Sequence, residues 1–210
     1  MRTGLAHARH RVIVATWRRI FKEAGTNIPD RNVERYIRDT HLRNSPVDGR
    51  RLDLVSQGIS GVFGGKPLFM DATCISPVRG SGVPMARAAT EDGAVLSEKD
   101  KDTYEVDYPD VAAAPHAQLL SLSVETYGRW GKDCLRLVKE LARAKASFSP
   151  EILRVSVQQA YGRRWWALLS VCVQKFVSDS ILQEQGADLT DAIAHTMPPL
   201  PLADVFDFCK

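Results

Sequence analysis

Two aspartates lie inside segments whose residue pattern is typical of β-strands. Asp53 has a leucine on each side within residues 51–55, and Asp71 lies within the more continuously apolar residues 67–75. Aspartate is disfavoured in strands, and an unpaired carboxylate is costly to bury. Two such residues on neighbouring strands are tolerated when they share a cation such as Mg²⁺ or Mn²⁺, which takes oxygen ligands. The alternative is two strand-edge aspartates paired with arginines such as Arg50 or Arg51.

A divalent ion held in this way polarises a phosphodiester, stabilises the leaving oxygen and activates water. The charge distribution bears on the substrate, because residues 1–51 hold 12 Arg or Lys against 5 Asp or Glu, whereas the remainder holds 16 against 20. A basic first quarter indicates contact with a polyanion such as nucleic acid. A solvated helix face is the alternative explanation.

Hydrophobic spacing divides the chain into the elements that must position these aspartates. The pattern predicts helices over about residues 6–24, 94–104, 132–145 and 149–183, strands over 51–55, 67–75 and 117–126, and a short strand or turn at 33–37. A glycine-rich connection at 56–66 favours an antiparallel hairpin, and residues 77–93 read as a loop. The order predicts an α/β fold, with a mixed central sheet of about four strands flanked by helices and an added long C-terminal helix.

Some residues with chemical potential have a plainer interpretation. His10 lies on the apolar stripe of the first helix, and we favour a packed, hydrogen-bonded histidine over a functional one. The Trp165-Trp166 pair follows two arginines and could stack on bases, but helical spacing favours Trp165 in a core stripe. The four cysteines are scattered, which predicts buried, reduced thiols rather than disulfides or a zinc site.

Composition is that of an ordinary globular protein, with 44% hydrophobic and 25% charged residues among 210. No apolar run approaches the roughly 20 residues needed to span a bilayer, and the first residues lack the apolar region of a secretory signal. We therefore expect an intracellular protein with no membrane association. The expected organisation is a core over residues 1–146, a helical extension over 147–186 and a loosely ordered tail over 187–210.

These segments resemble, in their order along the chain, nuclease domains of the restriction-endonuclease-like (PD-(D/E)XK) superfamily. They are most similar to the endonuclease domains that follow the reverse transcriptase of site-specific non-LTR retrotransposons. The resemblance covers roughly residues 6–180. Five segments carry the resemblance. The first three are a helix with Arg9-His10 that ends in Ala24-Gly25, a strand ending at Asp53, and a strand with Leu68, Asp71 and Thr73. The last two are a helix with Lys99 and Lys101 that ends in Tyr104, and a strand leading into the turn at Gly128.

The chain departs from the superfamily pattern at two positions. Leu52 stands where a proline usually precedes the first acid, and Thr73 stands where a lysine usually follows the second. In the retrotransposon branch that lysine lies on the following helix, so the resemblance implies Lys99 or Lys101 as the residue that positions water and stabilises charge on the phosphate. Two residues apart on a helix, they point to nearly opposite sides.

Of the two lysines we prefer Lys101, which would share a face with Tyr104 three residues later. The plainer alternative is that both lysines belong to a solvated surface beside the neighbouring acids. Glu23, near the end of the first helix, is a further candidate as a distant third carboxylate.

The resemblance implies a metal-dependent DNA endonuclease that holds Mg²⁺ or Mn²⁺ through Asp53 and Asp71, as the target-nicking domain of a retrotransposon-derived polyprotein. The implied partners are DNA, the element's RNA and a reverse transcriptase domain, and the implied location is nuclear. The alternatives are an inactive relic that serves as a nucleic-acid-binding or structural module, and a helical protein–protein interaction domain built on residues 149–183. The residues expected to contact phosphates are Arg11, Arg18, Arg19, Arg79 and Arg87.

Overall fold

The structure, a computed structural model, describes residues 2–26, 28, 35–36 and 49–184. Its helices are α1 (Arg2–Ala24), α2 (Ala94–Asp102), α3 (Pro109–Ala112), α4 (Lys132–Ser147) and α5 (Arg154–Glu184). Its strands are β1 (Arg35–Tyr36), β2 (Arg51–Leu52), β3 (Leu54–Ser56), β4 (Leu68–Ile75) and β5 (Gln118–Glu125). The expected α/β class, the flanking helices and the long C-terminal helix are all confirmed.

The chain divides into two compact units, Met1–Gln174 and Lys175–Lys210. The first unit runs past the boundary expected at residue 146 and includes the first part of α5. The tail expected at residues 187–210 lies outside the described residues. No helix within the described ranges is long and apolar enough to cross a membrane.

The central sheet has three strands in the order β3-β4-β5. β3 pairs with β4 antiparallel and β4 with β5 parallel, so the predicted hairpin and the mixed sheet are confirmed. The count of about four strands is not, because in the described part of the chain β1 and β2 form a separate two-stranded ladder. The single strand predicted at 51–55 is interrupted at Asp53, which lies between β2 and β3.

One face of the sheet carries the apolar cluster that fixes α3 and the segment before it. Phe69 of β4 and Leu119 of β5 are register partners, and both are buried against Tyr108 and Val111. Because side chains alternate along a strand, the residues two positions further along β4 and β5 lie on this same face. Asp71 and Ser121 are those residues.

The helices that enclose the core follow the predicted apolar stripes. Trp17, Ile20 and Phe21 of α1 have no exposed surface, and α1 packs against β4 and α4. Trp165 of α5 is fully buried, which confirms the core interpretation of that residue. Gly25 ends α1 with a φ of 95°, a left-handed conformation that favours glycine, and its N–H donates to the Lys22 carbonyl.

Helix α2 does not end where the sequence predicted. It stops at Asp102 and continues as one π-helical turn over Thr103–Asp107, before Pro109 begins α3. The wider turn changes the direction of the side chains that follow it. Such π-helical turns are rare and occur frequently at functional sites.

Candidate functional site

The antiparallel hairpin brings Asp53 close to Asp71. β3 and β4 pair Ser56 with Leu68, Val55 with Phe69 and Leu54 with Met70. Beyond Leu54 the Asp53 N–H donates to the Met70 carbonyl and its Oδ2 accepts the Ala72 N–H, so Asp53 lies across from residues 70–72 of β4, next to Asp71. Hairpin pairing therefore brings together the two aspartates that the sequence singled out.

Asp53 is held by three hydrogen bonds at the point where the strand is interrupted. Its backbone N–H donates to the Met70 carbonyl at 3.1 Å, and its Oδ2 accepts the Ala72 N–H at 2.7 Å. Its Oδ1 lies 2.8 Å from His10 Nε2 on α1. The carboxylate thus takes the place of a strand carbonyl, which explains why an aspartate interrupts the strand here. It is only 9% exposed and its orientation is fixed.

The fold raises the pKa of Asp71. Burial and then the negative charge of Asp53 raise the pKa of Asp71 to about 6, with a further contribution from Asp107. The positive charges of Lys99 and His10 act in the opposite direction. Only charges that lie close together influence each other in this way. The site is therefore a small cluster with an excess of negative charge.

The lysine of this cluster is Lys99. Its Nζ lies 3.0 Å from Asp107 Oδ2, its side chain is 21% exposed, and its charge acts on Asp71. Lys101 is 67% exposed and lies 3.7 Å from Glu105, another surface group. Of the two lysines, Lys99 is therefore the one whose charge acts on Asp71, whereas a catalytic role for Lys101 or Lys99 stays a prediction. The expected i,i+3 relation to Tyr104 assumed a continuous α-helix, whereas Tyr104 belongs to the π-helical turn.

Two residues near the aspartates were not predicted from the sequence. Asp107, at the end of the π-helical turn, holds Lys99, and Tyr108 donates from its hydroxyl to the Arg51 carbonyl at 2.5 Å. Burial raises the pKa of Tyr108, and the charges of Asp71 and Asp53 add to the rise. No pattern in the sequence predicts a π-helical turn, so no signal indicated that these residues come back to the aspartates.

A second polar cluster lies on α2, β5 and the start of α4. Ser123 Oγ donates to Asp100 Oδ1 at 2.7 Å, and Asp133 Oδ2 accepts both the Ser121 N–H at 2.9 Å and the Tyr104 hydroxyl. Burial raises the pKa of Asp133, which the hydrogen bonds from Tyr104 and Ser121 partly offset. The bond from the Ser121 N–H to Asp133 fixes the backbone of β5 beside Asp71.

Glu23 is not part of the cluster around Asp71, and its role as a distant third carboxylate is corrected. It accepts two hydrogen bonds from Arg164 at 2.9 Å, one from Trp165 Nε1 at 3.0 Å and one from Arg19 at 3.1 Å. Burial raises the pKa of Glu23, but these hydrogen bonds outweigh it and lower the pKa to about 2. Glu23 joins α1 to α5.

The five arginines expected to contact phosphates differ in their surroundings. Arg11 on α1 and Arg79 in the loop after β4 are exposed, while Arg18 is half-buried. Arg19 is bound to Glu23, and Arg87 is paired with Glu91 four residues later. Arg11 and Arg79 are therefore the best placed of the five for a polyanion.

The donor set determines which metal the site fits. Within the described part of the chain, no three or more His, Cys, Asp or Glu residues are arranged to hold a metal. A zinc site of three or four protein ligands is therefore not formed by these residues. Mg²⁺ is commonly bound by one or two carboxylates, with water and substrate phosphate as its other ligands. Asp53 and Asp71, with their excess negative charge, fit that smaller requirement.

Comparison with known protein families, with curated proteins and with solved structures gives no match to this chain.

Proposed function

We propose that this chain is a Mg²⁺-dependent endodeoxyribonuclease with a restriction-endonuclease-like fold. The observation that carries the proposal is the position of Asp53 across from residues 70–72 of β4, next to Asp71, and the charge of Lys99 from a separate helix acts on Asp71 as well. Two carboxylates can hold a divalent cation for phosphodiester hydrolysis, and an ammonium group can stabilise the charge that develops on the phosphate. The order of the motifs in the sequence supports the same assignment.

Asp53 and Asp71 would hold the ion, which when bound polarises the phosphodiester and supplies an activated water. His10 and the Ala72 N–H keep the Asp53 carboxylate in a fixed orientation. Asp107 holds the Lys99 ammonium, whose charge acts on Asp71 and would stabilise negative charge that develops on the phosphate.

The wider biological role follows from the resemblance. The domain would nick the target DNA of a retrotransposon-derived polyprotein in the nucleus, together with the element's RNA and a reverse transcriptase domain. Arg11 and Arg79 would contact the DNA backbone, because both are exposed. Contacts of this kind position a protein on DNA without reading its sequence.

Two observations favour a second candidate, an inactive module that binds nucleic acid or has a structural role. His10 already provides Asp53 with a partner at 2.8 Å, and Thr73 stands where the superfamily has its lysine. A histidine that satisfies this carboxylate reduces its need for a cation. Calorimetric titration with Mg²⁺ and Mn²⁺ separates the candidates, because the nuclease requires binding that depends on both aspartates.

The direct test is Mg²⁺-dependent nicking of supercoiled plasmid by the parent chain and by Asp71→Asn. We expect the variant to lose nicking by at least about 100-fold while it keeps its circular dichroism spectrum, because it removes one metal-binding charge. Asp102→Asn, on the exposed surface at the end of α2, is the matched control and should nick as the parent does. Equal nicking by Asp71→Asn and the parent would refute the proposal.

A further inference from the structure

Ser121 is the neighbour of Asp71 on β5. The parallel register of β4 and β5 pairs the two residues directly. Two positions earlier the same register pairs Phe69 with Leu119, and those side chains pack into one apolar cluster. Because the face alternates with every residue, Ser121 and Asp71 point to the same side of the sheet, on adjacent strands about 4.8 Å apart.

The hydroxyl of Ser121 is buried without a partner. Ser121 is 1% exposed, and within the described part of the chain its Oγ makes no hydrogen bond. Ser123, the next residue on this face, is equally buried, but its Oγ is bonded to Asp100 at 2.7 Å. Most buried polar side-chain atoms in folded proteins have a partner, and one without it needs an explanation.

The backbone of Ser121 is fixed, so its side chain stays on the face of the sheet that carries Asp71. Its N–H donates to Asp133 Oδ2, and Asp133 also accepts the Tyr104 hydroxyl. An alanine would fill the same space without leaving a polar atom unsatisfied. A serine at this position is therefore explained if something polar binds beside Asp71.

We propose that the Ser121 hydroxyl binds a water molecule in the hydration shell of a divalent cation held by Asp53 and Asp71. The inference rests on the proposed metal site and adds to it a positioning residue on the third strand. A hydroxyl suits this place because it both donates and accepts without adding charge to a cluster that is already negative. Mg²⁺ keeps several of its waters when it binds proteins, and groups that orient such ligands strongly affect metal affinity.

The test is the dissociation constant for Mn²⁺, measured by calorimetry on the full chain at pH 7.5. We expect Ser121→Ala to weaken Mn²⁺ binding by about 10-fold, in the range seen when partners of metal ligands are removed. Its thermal midpoint in EDTA should not fall below that of the parent, because no protein hydrogen bond is lost. If Ser121→Ala does not fold, Ser121→Cys, which is similar in size but a poor donor, is measured instead.

Ser123→Ala is the matched control on the same face. It removes the hydrogen bond to Asp100, so it should lower the thermal midpoint but leave the Mn²⁺ dissociation constant within twofold of the parent. Equal Mn²⁺ affinity of Ser121→Ala and the parent overturns the inference, and so does a parent chain that binds no Mn²⁺.

The results for Ser121 and for the nuclease are separable. Plasmid nicking by the parent with unchanged Mn²⁺ affinity in Ser121→Ala overturns only the assignment of Ser121. Weakened Mn²⁺ binding in Ser121→Ala, combined with a parent that does not nick DNA, supports Ser121 and overturns the nuclease.

Discussion

His10 Nε2 and Asp53 Oδ1 lie 2.8 Å apart, which connects α1 to the point where the first strand of the hairpin is interrupted. The two residues are 43 positions apart in sequence. The contact is a tertiary one. It is consistent with both interpretations of His10, a packed, hydrogen-bonded residue and a residue of the functional site. The histidine is a hydrogen-bonded, partly buried residue, and it also orients one of the two aspartates of the candidate site.

Replacing His10 by alanine tests this connection. We expect His10→Ala to lower the free energy of unfolding by about 1 kcal/mol, because a partly buried hydrogen bond to a carboxylate is lost. We also expect weaker Mg²⁺ binding, because Asp53 is less well oriented. Urea denaturation and calorimetry measure the two effects. His10→Gln, whose amide can donate to Asp53, should recover part of both, and a His10→Ala chain as stable as the parent would contradict the assigned role.

The two lysines of α2 should differ sharply in their contribution to nicking. Lys99→Met removes the ammonium group beside Asp71 and should reduce the nicking rate by about 100-fold, comparable to losing one charge-stabilising donor in other enzymes. Lys101→Met removes an exposed group paired with Glu105 and should leave the rate within about twofold. Rates are measured on supercoiled plasmid at saturating Mg²⁺. The reverse ranking would return the assignment to Lys101.

Asp71 should destabilise the metal-free protein at neutral pH. Its pKa is about 6 in the folded chain against an ordinary 3.8, so the folded state binds the proton more tightly and stability is lost as pH rises through 6. Asp71→Asn removes this penalty and should be more stable than the parent at pH 8 in EDTA by about 1–3 kcal/mol. Urea midpoints at pH 4 and pH 8 give the comparison. A variant that is less stable than the parent at pH 8 would show that the raised pKa is wrong.

Glu23 should show the opposite pH dependence. Its pKa falls from 4.5 to about 2 on folding, so its contribution to stability is present above pH 4.5 and is lost as pH falls towards 2. We expect Glu23→Gln to be less stable than the parent at pH 6 by about 1–3 kcal/mol, allowing for solvent screening of a partly exposed group. The difference should narrow between pH 4.5 and pH 3 in urea titrations.

Glu98→Gln, which changes an exposed glutamate on α2, is the control for that experiment and should match the parent at every pH. A difference for Glu23→Gln that stays constant with pH would mean that the charge of Glu23 does not contribute to stability.

Local pattern was sufficient to predict most elements of the fold. Apolar spacing and the stop at Gly25 predicted α1, and the apolar run of β4 matched the structure to within one residue. The hairpin followed from two strands and a short glycine-rich connection, and its antiparallel pairing was predicted correctly. These features depend on residues that are close together in sequence. Hydrophobic periodicity is a pattern over such short windows, so it predicts these features well.

The surroundings of the aspartates depended on contacts that sequence does not carry. A π-helical turn moves Asp107 and Tyr108 towards the site and breaks the helical spacing that favoured Lys101. Glu23 binds Arg164, which is 141 residues away, instead of approaching the sheet. A long-range hydrogen bond to Arg51 sets the direction of the Tyr108 side chain, and one from Arg164 sets that of Glu23. The local sequence alone allows either side chain to point in several directions.

The sequence by itself determined that the two aspartates would belong to the two paired segments of a hairpin in a mixed α/β sheet, because an acid within an apolar segment is visible in any window of a few residues. Only the tertiary structure decided which groups surround them: His10 on Asp53, Lys99 near Asp71, and Ser121 across the parallel pair. The physical reason is that electrostatic coupling depends on distance in space, which the packing of α1, α2 and β5 sets.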